Sequence, residues 1–293
     1  REQWQRLRRW TSNSMGDLDL VVSDRSTAEL FEAVNKDVAF KSLLRRPPLL
    51  VPQKYGRAAT LKLILPEAAV DITSLSDRYM AGGMRDDDEL LKEDCIHRDI
   101  TFNAMYLEVE TEHLYDPTGG MSDLAAGVVR SPHTNGPKAS FLEDPVRLLR
   151  LLRFAARFDF QLHSTVLDAA EDLQVHEALM QLSDLSKGRV LFEVKKALLL
   201  HNQPWRFLEF CGICQVEELI FGPNLAKIWP KVVGHARRLG HLLLHGLSTE
   251  QLLCRSERFR GRHLRATGLP APLLMPDWRK LGVWENDWLE LLL

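Results

Sequence analysis

Short stretches of alternating or unbroken apolar residues crowd roughly the first 130 positions of the chain: 18–22, 60–65, 69–75, 103–109 and 113–116. Side chains of an extended strand alternate between two faces, so these runs predict short strands of one sheet. Between the first two runs, residues 26–44 carry a helical period. Ser26 stands at the N-cap and Glu29 three positions on, the spacing of a capping box. From Asp144 the period lengthens and strand signals fade. A helix is expected from Asp144 as N-cap and Pro145 as first helical residue, then further helices over 164–173, 188–200, 204–221 and 226–244. Residues 116–127 and 130–140 read as turn and loop. The pattern predicts an α+β chain: a mixed-sheet domain over 1–140, then all-helical segments over 141–202 and 203–293, with no assignable period in the last 30 residues.

Composition narrows this picture. A chain of 293 residues that is 45% hydrophobic can bury real cores. No apolar run approaches the roughly 20 residues of a membrane span, and no signal-peptide pattern stands at the start. The chain opens on Arg1. Four cysteines read as reduced thiols of an intracellular protein. Cys211 and Cys214 lack a second ligand pair for zinc and are expected as buried helix residues. Net charge is −2, yet Arg147, Arg150, Arg153 and Arg157 form a run without an acid, and residues 231–265 are strongly basic. These runs are compatible with a polyanion partner, and a solvated helical surface is the commoner reading of any single one.

Three constellations carry candidate chemistry. Asp17 and Asp19 lie two apart in a predicted strand and so share one face, opposite Leu18 and Leu20. Paired carboxylates suit a hard divalent cation such as magnesium, and Asp71 in the 69–75 strand is a possible third. A half-exposed strand is the plainer reading. Arg147, Arg150, Arg153 and Arg157 fall within an arc of roughly 120° on a helix. They could hold phosphates, and Asp144 one turn earlier adds an acceptor of the kind base-edge reading requires. A charged helix exterior is the alternative. Arg98, Asp99 and Asn103 enter an apolar strand and could contact a ribose or act as turn and cap residues.

Taken in order, the D-x-D of "GDLDLVV", the strand acid in "AVDITSL", "HRDITFNA", "DPTGGMSDL", "FLEDPVRLLRLLRFAARFDF" and "LSKGRVLFEVKKAL" resemble the class II CCA-adding tRNA nucleotidyltransferases and the related bacterial-type poly(A) polymerases. The resemblance covers about residues 10–222 and has a eukaryotic flavour. It implies a nucleotidyltransferase head followed by helical neck and body, and template-independent addition of CCA to tRNA 3′ ends from CTP and ATP with two magnesium ions. By motif, Asp17 and Asp19 match the metal pair, with Asp71 joining them as catalytic. Arg98, Asp99 and Asn103 match a ribose-side motif. Asp144 and Arg147 match the base-reading pair, with Arg150, Arg153 and Arg157 on the same helix. Arg189, Glu193 and Lys196 match a supporting neck motif. The resemblance further implies tRNA and nucleoside triphosphates as partners, no membrane or stable protein partner, and a cytoplasmic, nuclear or mitochondrial location.

The chain departs from the pattern where the family has a glycine pair and an Arg-Asp pair before the D-x-D. Residues 1–16 hold no such pair, which leads to the expectation of a head truncated at its N-terminus. His97 stands where the family has arginine, and Gly188 replaces an acid before Arg189. Poly(A) addition by the same fold, or an inactive RNA-binding paralogue, are the alternatives.

Overall fold

A computed structural model describes residues 18–52, 59–66, 68–77, 86–182, 184–199 and 203–244. It divides into two compact units, one of residues 1–95 with 106–115 and one of residues 96–105 with 116–293.

The first unit holds β1 (Leu18–Val22), α1 (Thr27–Lys36), α2 (Val38–Lys41), β2 (Leu49–Val51), β3 (Thr60–Ile64), β4 (Ala69–Ser74), α3 (Asp87–Ile96), β5 (Tyr106–Leu107) and β6 (Leu114–Tyr115). Four strands form a mixed sheet in the order β1-β4-β3-β2. β1 runs parallel to β4 and the other pairings are antiparallel. The expected capping box starts α1: the Glu29 amide donates to Ser26 Oγ (3.2 Å) and the Ser26 amide donates to Glu29 Oε2 (2.8 Å). Asp37 ends this helix in an extended conformation. Its carboxylate then accepts from the Phe40 amide (2.9 Å), so one expected helix becomes two. Leu18, Leu20, Leu61, Leu63, Val70 and Ile72 join Leu30, Phe31 and Val34 of α1 in one core. The alternate residues of the same strands therefore lie on the opposite face.

The second unit begins with a 3₁₀ turn (Thr101–Asn103). It continues through α4 (Gly120–Ala126), β7 (Val128–Val129), α5 (Gly136–Glu143), α6 (Val146–Phe158), β8 (Gln161–Leu162), α7 (Ser164–Ala170), α8 (Leu173–Met180), α9 (Asp184–Leu199), α10 (Pro204–Ile213), α11 (Glu217–Phe221), α12 (Pro223–Ala226) and α13 (Trp229–Leu244). Its centre is α6, which packs against α9 and α10. Leu148, Leu149, Leu151, Leu152 and Ala155 are fully buried there. One core runs from Ile100 to Ala236.

"TFNA" and "DPTGGMSDL" are held together by buried polar bonds. Thr101 Oγ1 donates to Asp123 (2.7 Å), Arg130 Nε donates to the same carboxylate (3.0 Å), and the Thr101 amide donates to the Arg130 carbonyl (3.0 Å). Asp123 is 2% exposed, so these donors meet a real desolvation demand. A Cβ at Gly120 would lie 2.4 Å from the Thr101 carbonyl oxygen, so only glycine fits.

Three local expectations are corrected. The 116–127 and 130–140 segments contain helices α4 and α5, started by the turn glycines and Pro137 rather than ended by them. Pro145 occupies the cap position of α6 in place of Asp144. The 103–109 run keeps only the two-residue strand β5. Cys211 and Cys214 are free and buried, and Cys95 is buried as well. Among the described residues no helix is long and apolar enough to cross a membrane.

Candidate active site

Asp17 lies outside the described residues. Its neighbour Asp19 is on β1, directly opposite Asp71 on β4 in the parallel register. Adjacent strands are about 4.8 Å apart, and residues in register point to the same face. The two carboxylates therefore sit side by side on the sheet face away from α1. Lys62 of β3 is in register with Asp71 and donates its Nζ to Asp71 Oδ2. Three neighbouring strands thus present Asp19, Asp71 and Lys62 in one row. Lys62 is not among the expected site residues; it alternates with the buried Leu61 and Leu63 of "TLKLI" and so lies on the opposite face.

The second set of candidates converges in the helical unit. Asp144, 9% exposed, accepts two bonds from Arg189 of α9: Nη1 to Oδ1 (3.0 Å) and Nη2 to Oδ2 (2.6 Å). A planar guanidinium matches a carboxylate in this fork, which fixes both groups. One turn on, Arg147 donates from Nη1 to Ser140 Oγ and Glu143 Oε2 (both 3.0 Å) and from Nη2 to the His97 carbonyl (2.9 Å).

Deeper along α6, Arg150 donates Nε to Asp99 (2.6 Å), and its Nη1 lies 3.5 Å from Glu193. Arg153 donates Nε to the other oxygen of Glu193 (2.5 Å). Burial pushes the Arg150 guanidinium down, but Asp99, Glu193 and Asp144 outweigh it and hold the group above its ordinary value. Two acids and two arginines alternate here, so buried charge is neutralised locally. Arg153 is 4% exposed and its guanidinium stacks 4.1 Å from the Phe154 ring centre. It is therefore an interior residue. Arg157 covers the Phe158 ring at 5.1 Å, and Lys196 covers Phe192 at 4.3 Å. Arg98 is half-buried and Asn103 exposed.

The structure thus brings together Asp99 with Arg150, Glu193 and Arg153, and Asp144 with Arg189. His133, Ser140 and Glu143 escaped the sequence reading. They hold Arg147, directly or through one another, and no local pattern announces them.

Residues 12–130 match the family described as the poly(A) polymerase head domain. The chain shares 35% identity over 131 residues, 44% of this chain and 24% of the relative, with the mitochondrial CCA tRNA nucleotidyltransferase of Candida glabrata. Identity is 40% over 139 residues, 45% of this chain and 16% of the relative, with the A-adding tRNA nucleotidyltransferase of Aquifex aeolicus. A solved tRNA nucleotidyltransferase complexed with a primer tRNA and an incoming ATP analog matches 93% of this chain and 80% of that chain. The TM-score is 0.55 and the identity 25%. The chain spans about a quarter or less of the length of these two curated relatives. The α+β class, a sheet-bearing head followed by helices, agrees with the solved relative.

Proposed function

We propose that the protein adds CCA to the 3′ ends of tRNA from CTP and ATP, by nucleotidyl transfer at the Asp19 and Asp71 face of the head. The observation that carries this reading is the in-register placement of these two carboxylates on one sheet face in a poly(A) polymerase head. Their hard oxygen donors fit magnesium, which Asp17, Asp19 and Asp71 would hold. When bound, magnesium supplies charge neutralisation at the attacked phosphate and lowers the pKa of the attacking hydroxyl.

In this reading the transfer forms a bond from the RNA 3′-oxygen to the α-phosphorus and breaks the bond to pyrophosphate. The transfer needs no side-chain nucleophile, and the side chains position the reactants. Lys62 offsets part of the carboxylate charge beside Asp19. In the helical unit Asp144 offers acceptors and Arg147 donors, the two functions that meet the complementary edges of cytosine and adenine. Arg189 fixes the plane of the Asp144 carboxylate. Asp99, Arg150, Glu193 and Arg153 form the neutral base on which α6 and α9 hold these groups.

The CCA-adding name of the fungal relative supports three-nucleotide addition. The A-adding name of the Aquifex protein, at 40% identity, favours a second reading in which only the terminal adenosine is added. The mitochondrial name of the fungal relative makes the mitochondrion the first compartment to examine.

The test is to incubate the protein with magnesium, both nucleotides, and tRNA lacking its last three residues, and to sequence the product. Three added residues support CCA addition, and A added only to tRNA ending in CC supports the second reading. A long A-tail or no incorporation overturns both.

A further inference from the structure

We propose that His133 and Glu143 are positioning residues that set nucleotide selectivity by holding Arg147 in a fixed orientation. The inference rests on the reading that Arg147 meets the incoming base.

The relay is continuous. His133, 8% exposed, faces Glu143 with its Nε2 2.9 Å from Oε1. Glu143 Oε2 accepts from Arg147 Nη1 at 3.0 Å, and Arg147 Nη2 donates to the His97 carbonyl at 2.9 Å. The tautomer follows from the partners: His133 Nδ1 accepts the Asn135 amide at 3.2 Å, so the ring proton sits on Nε2 and points at Glu143. The His97 ring closes the arrangement edge-on against His133, with centroids 5.6 Å apart.

The same geometry argues against a metal cage, although ligand atoms of His97, His133 and Glu143 lie within 4.8 Å of one another. A metal on Nε2 would require the proton on Nδ1, against the Asn135 amide. Arg147 already occupies Glu143 as a cation. The cluster is built to carry a hydrogen-bond chain.

Its physical value comes from contrast in exposure. The Glu143 side chain is 45% exposed and that of His133 4%. An exposed glutamate samples several rotamers, and an exposed ion pair is weak. A buried histidine that donates to one oxygen restricts the carboxylate and presents the other to Arg147. The guanidinium, held also by Ser140 Oγ at 3.0 Å, is then oriented before a nucleotide arrives. Preorganised donors discriminate between bases more sharply than mobile ones.

The experiment measures equilibrium binding of CTP, ATP, UTP and GTP to the intact protein and to Arg147→Ala, His133→Ala, His133→Gln and Glu143→Ala. Folding is checked by circular dichroism. Expected is a loss of preference for CTP and ATP in Arg147→Ala, and a drop of about tenfold in His133→Ala and Glu143→Ala. His133→Gln retains most of the preference, because its amide donates toward Glu143. Wild-type preference in folded Glu143→Ala or His133→Ala overturns the inference, and so does a His133→Gln variant as poor as the alanine. If His133→Ala does not fold, Glu143→Ala and His133→Gln decide. An Arg147→Ala variant with unchanged preference, or a wild type with none, overturns the reading of Arg147 itself and this inference with it.

Discussion

Asp19 and Asp71 stand opposite each other on two parallel strands, and Lys62 bonds Asp71 from the third. The chain places like charges side by side on the sheet face away from its core, where repulsion is not offset by packing. Such a pair weakens a sheet unless cations share it. Lys62 supplies one such cation from within the fold. Replacing Asp71 by Asn is therefore expected to leave folding intact and to lower nucleotide incorporation by about a hundredfold or more, since shared carboxylates position the reacting phosphate. Incorporation into tRNA, compared with thermal melting of the same variant, checks both halves.

The interior pair makes the opposite prediction. Arg153 and Glu193 are each about 5% exposed. Arg153→Met leaves Glu193 buried with only the longer Arg150 contact, and is expected to cost about 3 kcal/mol in a urea titration. Glu193→Leu added to Arg153→Met should recover much of that loss, because the uncompensated charge is gone.

Much of this was legible in advance, for identifiable reasons. The β1, β3 and β4 strands and the α1 capping box follow from period and cap chemistry within a few residues, and the Asp19 face follows from the two-residue repeat. The burial of Arg153 could not be read in advance, because a 3.6-residue period tells which residues share a face but not how deep a neighbouring helix lies. Glu193, 40 positions away, draws Arg153 inside. Asp144 resembled a helix cap because its local neighbours suit one, while its true partner, Arg189, is 45 residues on. Lys62, His133 and Glu143 gain their roles only when distant strands and loops meet, so no local pattern marks them.

Asp144 and Arg189 yield a third prediction. Asp144→Asn loses charge but little volume. Its amide cannot accept both guanidinium bonds. Selectivity for CTP and ATP over UTP and GTP is expected to fall between about tenfold and a hundredfold, the range typical of one paired base contact. Competition among the four nucleotides in a single incorporation reaction reads this directly.

Glu143 gives a pH prediction. Burial pushes its carboxyl up, but the hydrogen bonds from His133 and Arg147, together with the Arg147 charge, outweigh this and hold it below the ordinary value. A carboxyl lowered on folding adds stability above its unfolded pKa, and that stability disappears as pH falls through the folded pKa. The melting-temperature gap between wild type and Glu143→Gln should be full near neutrality and close in acid below the usual carboxylate range. Because Glu143 is half-exposed, the gap corresponds to less than about 1 kcal/mol.

The buried thiols provide a chemical check on the helical unit. Burial, with Glu171 and Glu217 nearby, pushes the Cys214 thiol up to about 12, and Cys211 is raised well above its ordinary value by burial and by Cys214. At pH 8 the thiolate fraction of Cys214 is on the order of one in ten thousand. Iodoacetamide under native conditions should leave both unlabelled, while denaturant exposes them. Peptide mass spectrometry distinguishes the two states.

The most direct test of the central claim is magnesium-dependent transfer of labelled CTP to tRNA lacking its CCA end, in wild type and in Asp19→Asn. The account predicts transfer by wild type and its loss, by about a hundredfold or more, in a folded Asp19→Asn variant. No transfer by the wild type, or equal transfer by both proteins, would contradict it.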